Sequence, residues 1–168
     1  MKVPELLEQS AQHWPRRTAI VDGHGALDYP TLRDCVAETA QRLRALGVEP
    51  GQGVGVMARN GREFIIGVFA VLHCGATALP MEPRMRPAEL AALLASARLH
   101  AVLHERSCHV GGPSSGGPVP IQGASPMELA WTPAERGRPC VEIVPDAAFI
   151  RFTSGTTGES KGVVLSHP

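Results

Sequence analysis

Residues 54–103 read VGVMARNGREFIIGVFAVLHCGATALPMEPRMRPAELAALLASARLHAVL. Three short apolar runs punctuate this stretch: Val54 to Ala58, Thr77 to Leu79 and His100 to Leu103. Each has the length of a buried strand. Between the first two, Asn60 is placed to N-cap a helix running to about Cys74, with Gly75 as its stop. Between the second and third, Pro87 opens a helix through Ala97 that turns Leu90, Leu93 and Leu94 inward. Apolar strands alternating with helices predict an α/β fold: a mostly parallel sheet with flanking helices and right-handed crossovers.

One part of this stretch resembles a membrane span. Phe64 to Met81 is nearly all apolar. It is interrupted by His73, Gly75 and Pro80, with Arg59, Arg62 and Glu63 just before it. A span needs about 20 apolar residues without such breaks. The reading is therefore a buried helix followed by a buried strand, and no membrane span.

Working toward the amino terminus, residues 4–14 place Leu6, Leu7, Ala11 and Trp14 on one helical face, with Pro4 in the first turn. Thr18 to Val21 and Ala26 to Tyr29, joined by a turn at Asp22 to Gly25, predict a hairpin. From Thr31, the spacing of Leu32, Val36, Ala40, Leu43 and Leu46 predicts a long helix that Gly47 ends. Toward the carboxyl terminus, residues 105–140 contain the run Gly111 to Pro118, whose Gly, Ser and Pro content predicts a flexible surface loop. A short helical turn is expected near Pro126 to Trp131, and order resumes at Val141 to Val144 and in a strand from Ala148 to Phe152.

Bulk composition excludes several classes. The chain has 168 residues, 43% apolar and 19% charged, which suits one globular domain. Formal net charge is zero, so no basic surface invites nucleic acid. Aromatics at 4% are too sparse for base-stacking platforms. Cys35, Cys74, Cys108 and Cys140 form no C-x-x-C pair, and Met1 to Glu5 carries no apolar signal region. Both points are expected of a reduced, cytoplasmic chain.

The chemistry sits in the last block. A strand ends at Phe152 and breaks into Thr153-Ser-Gly-Thr-Thr-Gly-Glu-Ser-Lys161. Gly155 and Gly158 let the backbone turn tightly and bring its N–H groups against a ligand. Successive N–H groups in such a turn make a concave anion site. The hydroxyls of Thr153, Ser154, Thr156 and Thr157 add donors without bulk, and Lys161 adds a positive charge. The matching ligand is a polyphosphate. A surface turn with a solvated lysine would account for any one of these residues, but not for the whole string behind a buried strand. The loop is not a Walker A loop, because Ser160 precedes Lys161 and Gly162 follows it. Val163 to Leu165 reads as a further strand, where a Walker loop would open a helix.

Thr153 to Gly158, then Lys161-Gly162 and Ser166-His167, resembles the signature loop of the adenylate-forming superfamily: acyl-CoA synthetases, luciferases and the adenylation domains of peptide synthetases. That pattern usually has proline where this chain has Ser160. The resemblance extends back through Leu27 to Tyr29, Gly53 to Asn60, Leu72 to Ala76, Leu79-Pro80, Glu82-Pro83 and Pro87 to Leu90. The wording from Met85 to Leu90 leans toward acyl-CoA ligases.

The resemblance implies part of the large N-terminal domain of an AMP-forming ligase. A carboxylic acid attacks the α-phosphate of ATP, giving acyl-AMP and pyrophosphate, and a thiol of coenzyme A or a carrier protein then takes the acyl group. Thr153, Ser154, Gly155, Thr156, Thr157, Gly158 and Lys161 would hold the β- and γ-phosphates. The Mg2+ ligand, the acyl pocket, the catalytic residues and the C-terminal domain are expected downstream of Pro168. Residues 1–168 alone are therefore expected to be catalytically incomplete, and the missing remainder of the enzyme is their expected partner. Three other readings stand beside this one: an adenylation domain of a peptide-synthetase type system, a non-catalytic truncated remnant or interaction module, and a stand-alone ATP-binding or phosphate-binding protein.

His100, His104, Cys108 and His109 lie close in sequence but lack a second ligand pair at zinc spacing, so they read as surface and edge residues, with no metal. Glu82 reads as a turn residue. His167 is read either as a support for the loop or as a strand-end residue. His73 and Cys74 read as packing residues.

Overall fold

The structure is a computed structural model describing residues 2–97, 99–108, 110, 116–121, 126–132, 146–153 and 161–168. Helix α1 (Val3–His13) starts with Glu5 accepting a hydrogen bond from the Lys2 N–H at 2.8 Å, and buries Leu7 and Ala11. Leu6 and Trp14, expected on the same face, are 38% and 47% exposed. Strands β1 (Thr18–Asp22) and β2 (Gly25–Asp28) form the expected antiparallel hairpin. Asp28 then caps α2 (Tyr29–Ala45) by accepting from the Thr31 N–H at 2.8 Å.

The main sheet has the order β6-β7-β5-β3-β4-β8-β9. Its centre is parallel: β5 (Ala101–Glu105), β3 (Gly53–Met57), β4 (Thr77–Met81) and β8 (Ala147–Thr153). Every residue of β3 and β5 is buried, as expected of strands covered on both faces. Helices α2 and α3 (Arg62–His73) pack Val36, Leu43, Ile66 and Val71 with Val54, Val56 and Leu103 on one face. Helix α4 (Pro87–Ala97) brings Leu90 to Met57, Leu79, Met81 and Val102 on the other. Gly75, at φ +76°, ends the turn between α3 and β4, a left-handed conformation that suits glycine.

Three local expectations are corrected. First, the turn predicted at Pro126 to Trp131 is a strand, β7 (Met127–Trp131), and β6 (Gly117–Val119) pairs with it. Strand β7 runs antiparallel to β5, with Leu103 opposite Leu129. Met127, Leu129 and Val119 are fully buried, so this part of the supposed flexible region 105–140 extends the core. Residues 111–115, the predicted strand at 141–144 and Cys140 lie outside the described residues.

Second, Asn60 does not cap α3. The N-cap is Gly61, without a side-chain bond. The Arg62 N–H is satisfied by Asp22 of β1, at 2.9 Å. The Arg62 guanidinium binds the same carboxylate at 2.6 to 3.1 Å and the Gly25 carbonyl at 2.9 Å. A long-range ion pair has replaced a local cap, and the hydrogen bonds from Arg62 hold the Asp22 carboxyl well below the usual carboxylate range.

Third, His100 and His104 are each 5% exposed and belong to the interior. The Gly53 N–H donates to His100 Nδ1 at 3.3 Å, and His104 Nδ1 lies 2.9 Å from the Glu105 carbonyl. Among the described residues no three His, Cys, Asp or Glu side chains gather as a metal group. No helix among them is long and apolar enough to cross a membrane.

Candidate functional site

Parallel strands end together, and in open α/β sheets ligands bind outside their carboxyl ends. Here β5, β3, β4 and β8 deliver Glu105, Met57, Met81 and Thr153 to one edge of the sheet. A cleft of about 590 Å³ opens there. Asn60 and Phe64 line it at the end of β3 and the start of α3, Glu82 and Met85 follow β4, and Arg151 and Phe152 come from β8. None of these residues was expected to bind a ligand from the sequence, and Glu82 was read as a turn residue. Their signal was positional: each lies at or just past a strand end. Glu82 is indeed a turn residue, its carboxylate accepting from the Arg84 N–H at 3.3 Å and its carbonyl from the Met85 N–H at 3.2 Å.

Thr153 is the last residue of β8, and Lys161 is the first of β9 (Lys161–Ser166). The two are direct partners in the antiparallel β8–β9 register. The residues between them, including Ser154, Gly155, Thr156, Thr157 and Gly158, lie outside the described set. The two ends of the candidate phosphate loop are thus pinned opposite each other at the carboxyl edge, beside the cleft. Phe152 opposite Gly162 continues the ladder, and a Cβ at Gly162 would sit 3.4 Å from the Phe152 ring. Strand β8 is anchored to β4 through Ala78 opposite Phe149 and by the Thr77 hydroxyl donating to the Ala147 carbonyl at 3.1 Å.

His167 does not support the loop. It follows the far end of β9, where its Nδ1 accepts from the Val3 N–H at 3.1 Å and its own N–H donates to the Asp146 carbonyl at 3.0 Å. It ties the start of α1 to the main sheet. Cys74 is a packing residue, as expected: its thiol is buried, donates to the Ala40 carbonyl at 3.4 Å, and is pushed by burial up to about 11.

The fold is an open, mostly parallel α/β sheet with Thr153 and Lys161 paired at its carboxyl edge. A model of the AMP-binding enzyme family matches residues 7–168, and the chain belongs to that family. It is 34% identical over 160 residues to the AMB antimetabolite synthetase AmbE of Pseudomonas aeruginosa, covering 91% of this chain and 7% of that protein. It is 36% identical over 167 residues to the phosphinothricin tripeptide synthetase PhsC of Streptomyces viridochromogenes, covering 96% of this chain and 15% of that protein. The N-terminal subdomain of Klebsiella oxytoca NpsA, solved with 3-hydroxybenzoyl-AMSN, superposes with a TM-score of 0.74 at 21% identity, covering 99% of this chain and 41% of that one. The fold is that of the N-terminal subdomain of adenylate-forming enzymes, and the chain spans a small part of the relatives it matches.

Proposed function

We propose that the protein containing this chain activates a carboxylic acid with ATP to an acyl-adenylate and then passes the acyl group to a thiol. Residues 1–168 supply part of its N-terminal domain, including the phosphate-binding hairpin at 152–168. The observation that carries this reading is the pairing of Thr153 with Lys161 at the carboxyl edge, beside the cleft at the ends of β3 and β4. In this reading Thr153, Ser154, Gly155, Thr156, Thr157, Gly158 and Lys161 hold the β- and γ-phosphates as pyrophosphate leaves. The acid is its own nucleophile, so these residues act by positioning and by neutralising charge. Mg2+ is the family's metal, and its ligand is not assigned among the described residues.

The finer question is the thiol. The wording of residues 85–90 favours coenzyme A, whereas the relatives include synthetases of peptides and of an antimetabolite. Those relatives support a carrier-protein thiol as the acceptor, in an adenylation unit of peptide-synthetase type. The test uses the complete protein with ATP and a panel of carboxylic and amino acids, offering coenzyme A or a thiol-bearing carrier domain. Acid-dependent acyl transfer to the carrier is expected. Transfer to coenzyme A alone would replace the carrier with the nucleotide thiol, and no acid-dependent use of ATP would overturn the reading.

A further inference from the structure

An apolar groove of about 430 Å³ runs between α1 and β1, and it shares no lining residue with the cleft at the carboxyl edge. Leu6 and Leu7 line it from α1, Ile20 and Val21 from β1, and Ile65 and Phe69 from α3. Its rim is apolar as well. Val21 is 77% exposed, Leu6 is exposed, and the exposed Trp14 stands 6.2 Å from the ring of Tyr29, which also lines the groove. A contiguous apolar patch of this kind marks a contact surface. Strand β1 also has an open edge: among the described residues it pairs only with β2, in a sheet of two strands. A two-stranded sheet is marginal on its own, and its free edge is a template for another strand.

The charges give the occupant its direction. Arg16 and Arg17 stand exposed just before β1. Arg17 lies 5.8 Å over the Trp14 ring, and Arg16 has no partner among the described residues. Glu5 stands exposed in the first turn of α1, where it accepts from the Lys2 N–H. At 1.5 Å per helical residue Glu5 lies roughly 13 Å along the helix from Trp14. Asp22, with its oxygens held by Arg62, closes the same far end of the groove from β1. One end of the groove is therefore basic and the other acidic. A second β1 laid antiparallel brings its Arg16 to the Glu5 end, whereas a parallel one sets like charges together. We infer that β1 of one copy pairs antiparallel with β1 of a second copy about a two-fold axis, each groove taking the other copy's Val21 and each Glu5 facing the other copy's Arg16. The two hairpins join into one four-stranded antiparallel sheet. The contact is isologous, so it closes at a dimer. It is independent of the proposed acid activation.

The test uses the complete protein carrying Val164→Lys, so that pairing through β9 does not contribute, and follows mass against concentration by sedimentation. A dimer is expected. Val21→Lys should raise its dissociation constant roughly tenfold or more, because a charge replaces the apolar side chain in each groove. Arg16→Glu and Glu5→Arg should each weaken it, since each sets like charges face to face. An equimolar mixture of the Arg16→Glu and Glu5→Arg proteins restores both ion pairs and should dimerise more tightly than either protein alone. Circular dichroism checks that each variant is folded, and Val21→Thr replaces Val21→Lys if it is not. A complete protein that stays monomeric, a dimer indifferent to the change at Val21, or a mixture no tighter than its components overturns the inference. If the protein is monomeric, maleimide labelling of Val21→Cys names what replaces the second copy. Slow labelling assigns the groove to another segment of the same polypeptide, and fast labelling leaves it open to solvent; both exclude the dimer.

Discussion

Gly55 sits in the middle of β3, the central strand, and the space beside it is already taken. A Cβ there would lie 2.4 Å from Met81 Sδ, 3.2 Å from Leu99 Cδ1 and 3.4 Å from Val102 Cγ2. Ordinary non-bonded carbon contacts lie near 3.5–4.0 Å, so Met81 must withdraw by about 1 Å or more. Met81 is 4% exposed and packs against Leu79, Leu90 and Leu99, so it has little room to move. Overpacking of this kind costs about 1–3 kcal/mol, and the loss of unfolded-state freedom on replacing glycine returns about 0.4–1 kcal/mol. Gly55→Ala should therefore lose about 1–2 kcal/mol net, since a thioether is the most adaptable neighbour available. For a domain of this size that is a fall of about 2–8 °C in the unfolding midpoint. Thermal unfolding followed by circular dichroism reads it directly. The decisive control is Met81→Ala, which opens the space the new methyl needs. On that background Gly55→Ala should be close to neutral, giving a coupling of about 1 kcal/mol between the two sites. A Gly55→Ala variant as stable as the parent, or one whose cost is unchanged beside Met81→Ala, would refute this packing argument.

Other outcomes follow from single features. Gly75→Ala forces a side chain into φ +76° with its Cβ 3.2 Å from Pro50, and should cost about 1 kcal/mol or more by denaturant unfolding. Asp22 has its folded pKa depressed, chiefly by the hydrogen bond from Arg62. That stability is present above the unfolded value of about 4 and is lost as pH falls through the folded value, so Asp22→Asn should flatten the loss of stability below about pH 4. Among the described residues strand β9 is the sheet edge, with Val163, Val164 and Leu165 exposed at 47%, 42% and 49%. The isolated 168-residue chain should self-associate through it, and Val164→Lys should raise the concentration needed, as read by sedimentation.

The parallel centre was legible because β3, β4 and β5 are buried on both faces, and such strands are written as continuous apolar runs. β7 was not. Met127-Glu-Leu-Ala-Trp131 alternates in the strand period, but five residues also fit one helical turn, and the Gly- and Ser-rich sequence before it argued for a loop. Only its pairing with β5 decides between them. The Asp22–Arg62 pair joins residues forty positions apart, and His167 joins Val3 across 164 positions, so neither bond leaves a local signal. His100 and His104 were read as surface and edge residues, yet His104 within β5 and His100 just before it are carried into the interior beside apolar neighbours. At the site, the hairpin motif was legible in residue types alone. The cleft beside it was not, because Asn60, Met85 and Arg151 acquire meaning only when three strand ends meet.

The account rests on the claim that the hairpin from Thr153 to Lys161 holds the phosphates of ATP during acid activation. The most direct measurement is acid-dependent exchange of labelled pyrophosphate into ATP by the complete protein, with and without Lys161→Ala. The account predicts exchange that requires a carboxylic acid and falls by roughly 100-fold or more when the lysine is removed, the scale of losing one preorganised charge contact to a transferring phosphate. Exchange that proceeds at the parental rate in Lys161→Ala would contradict it.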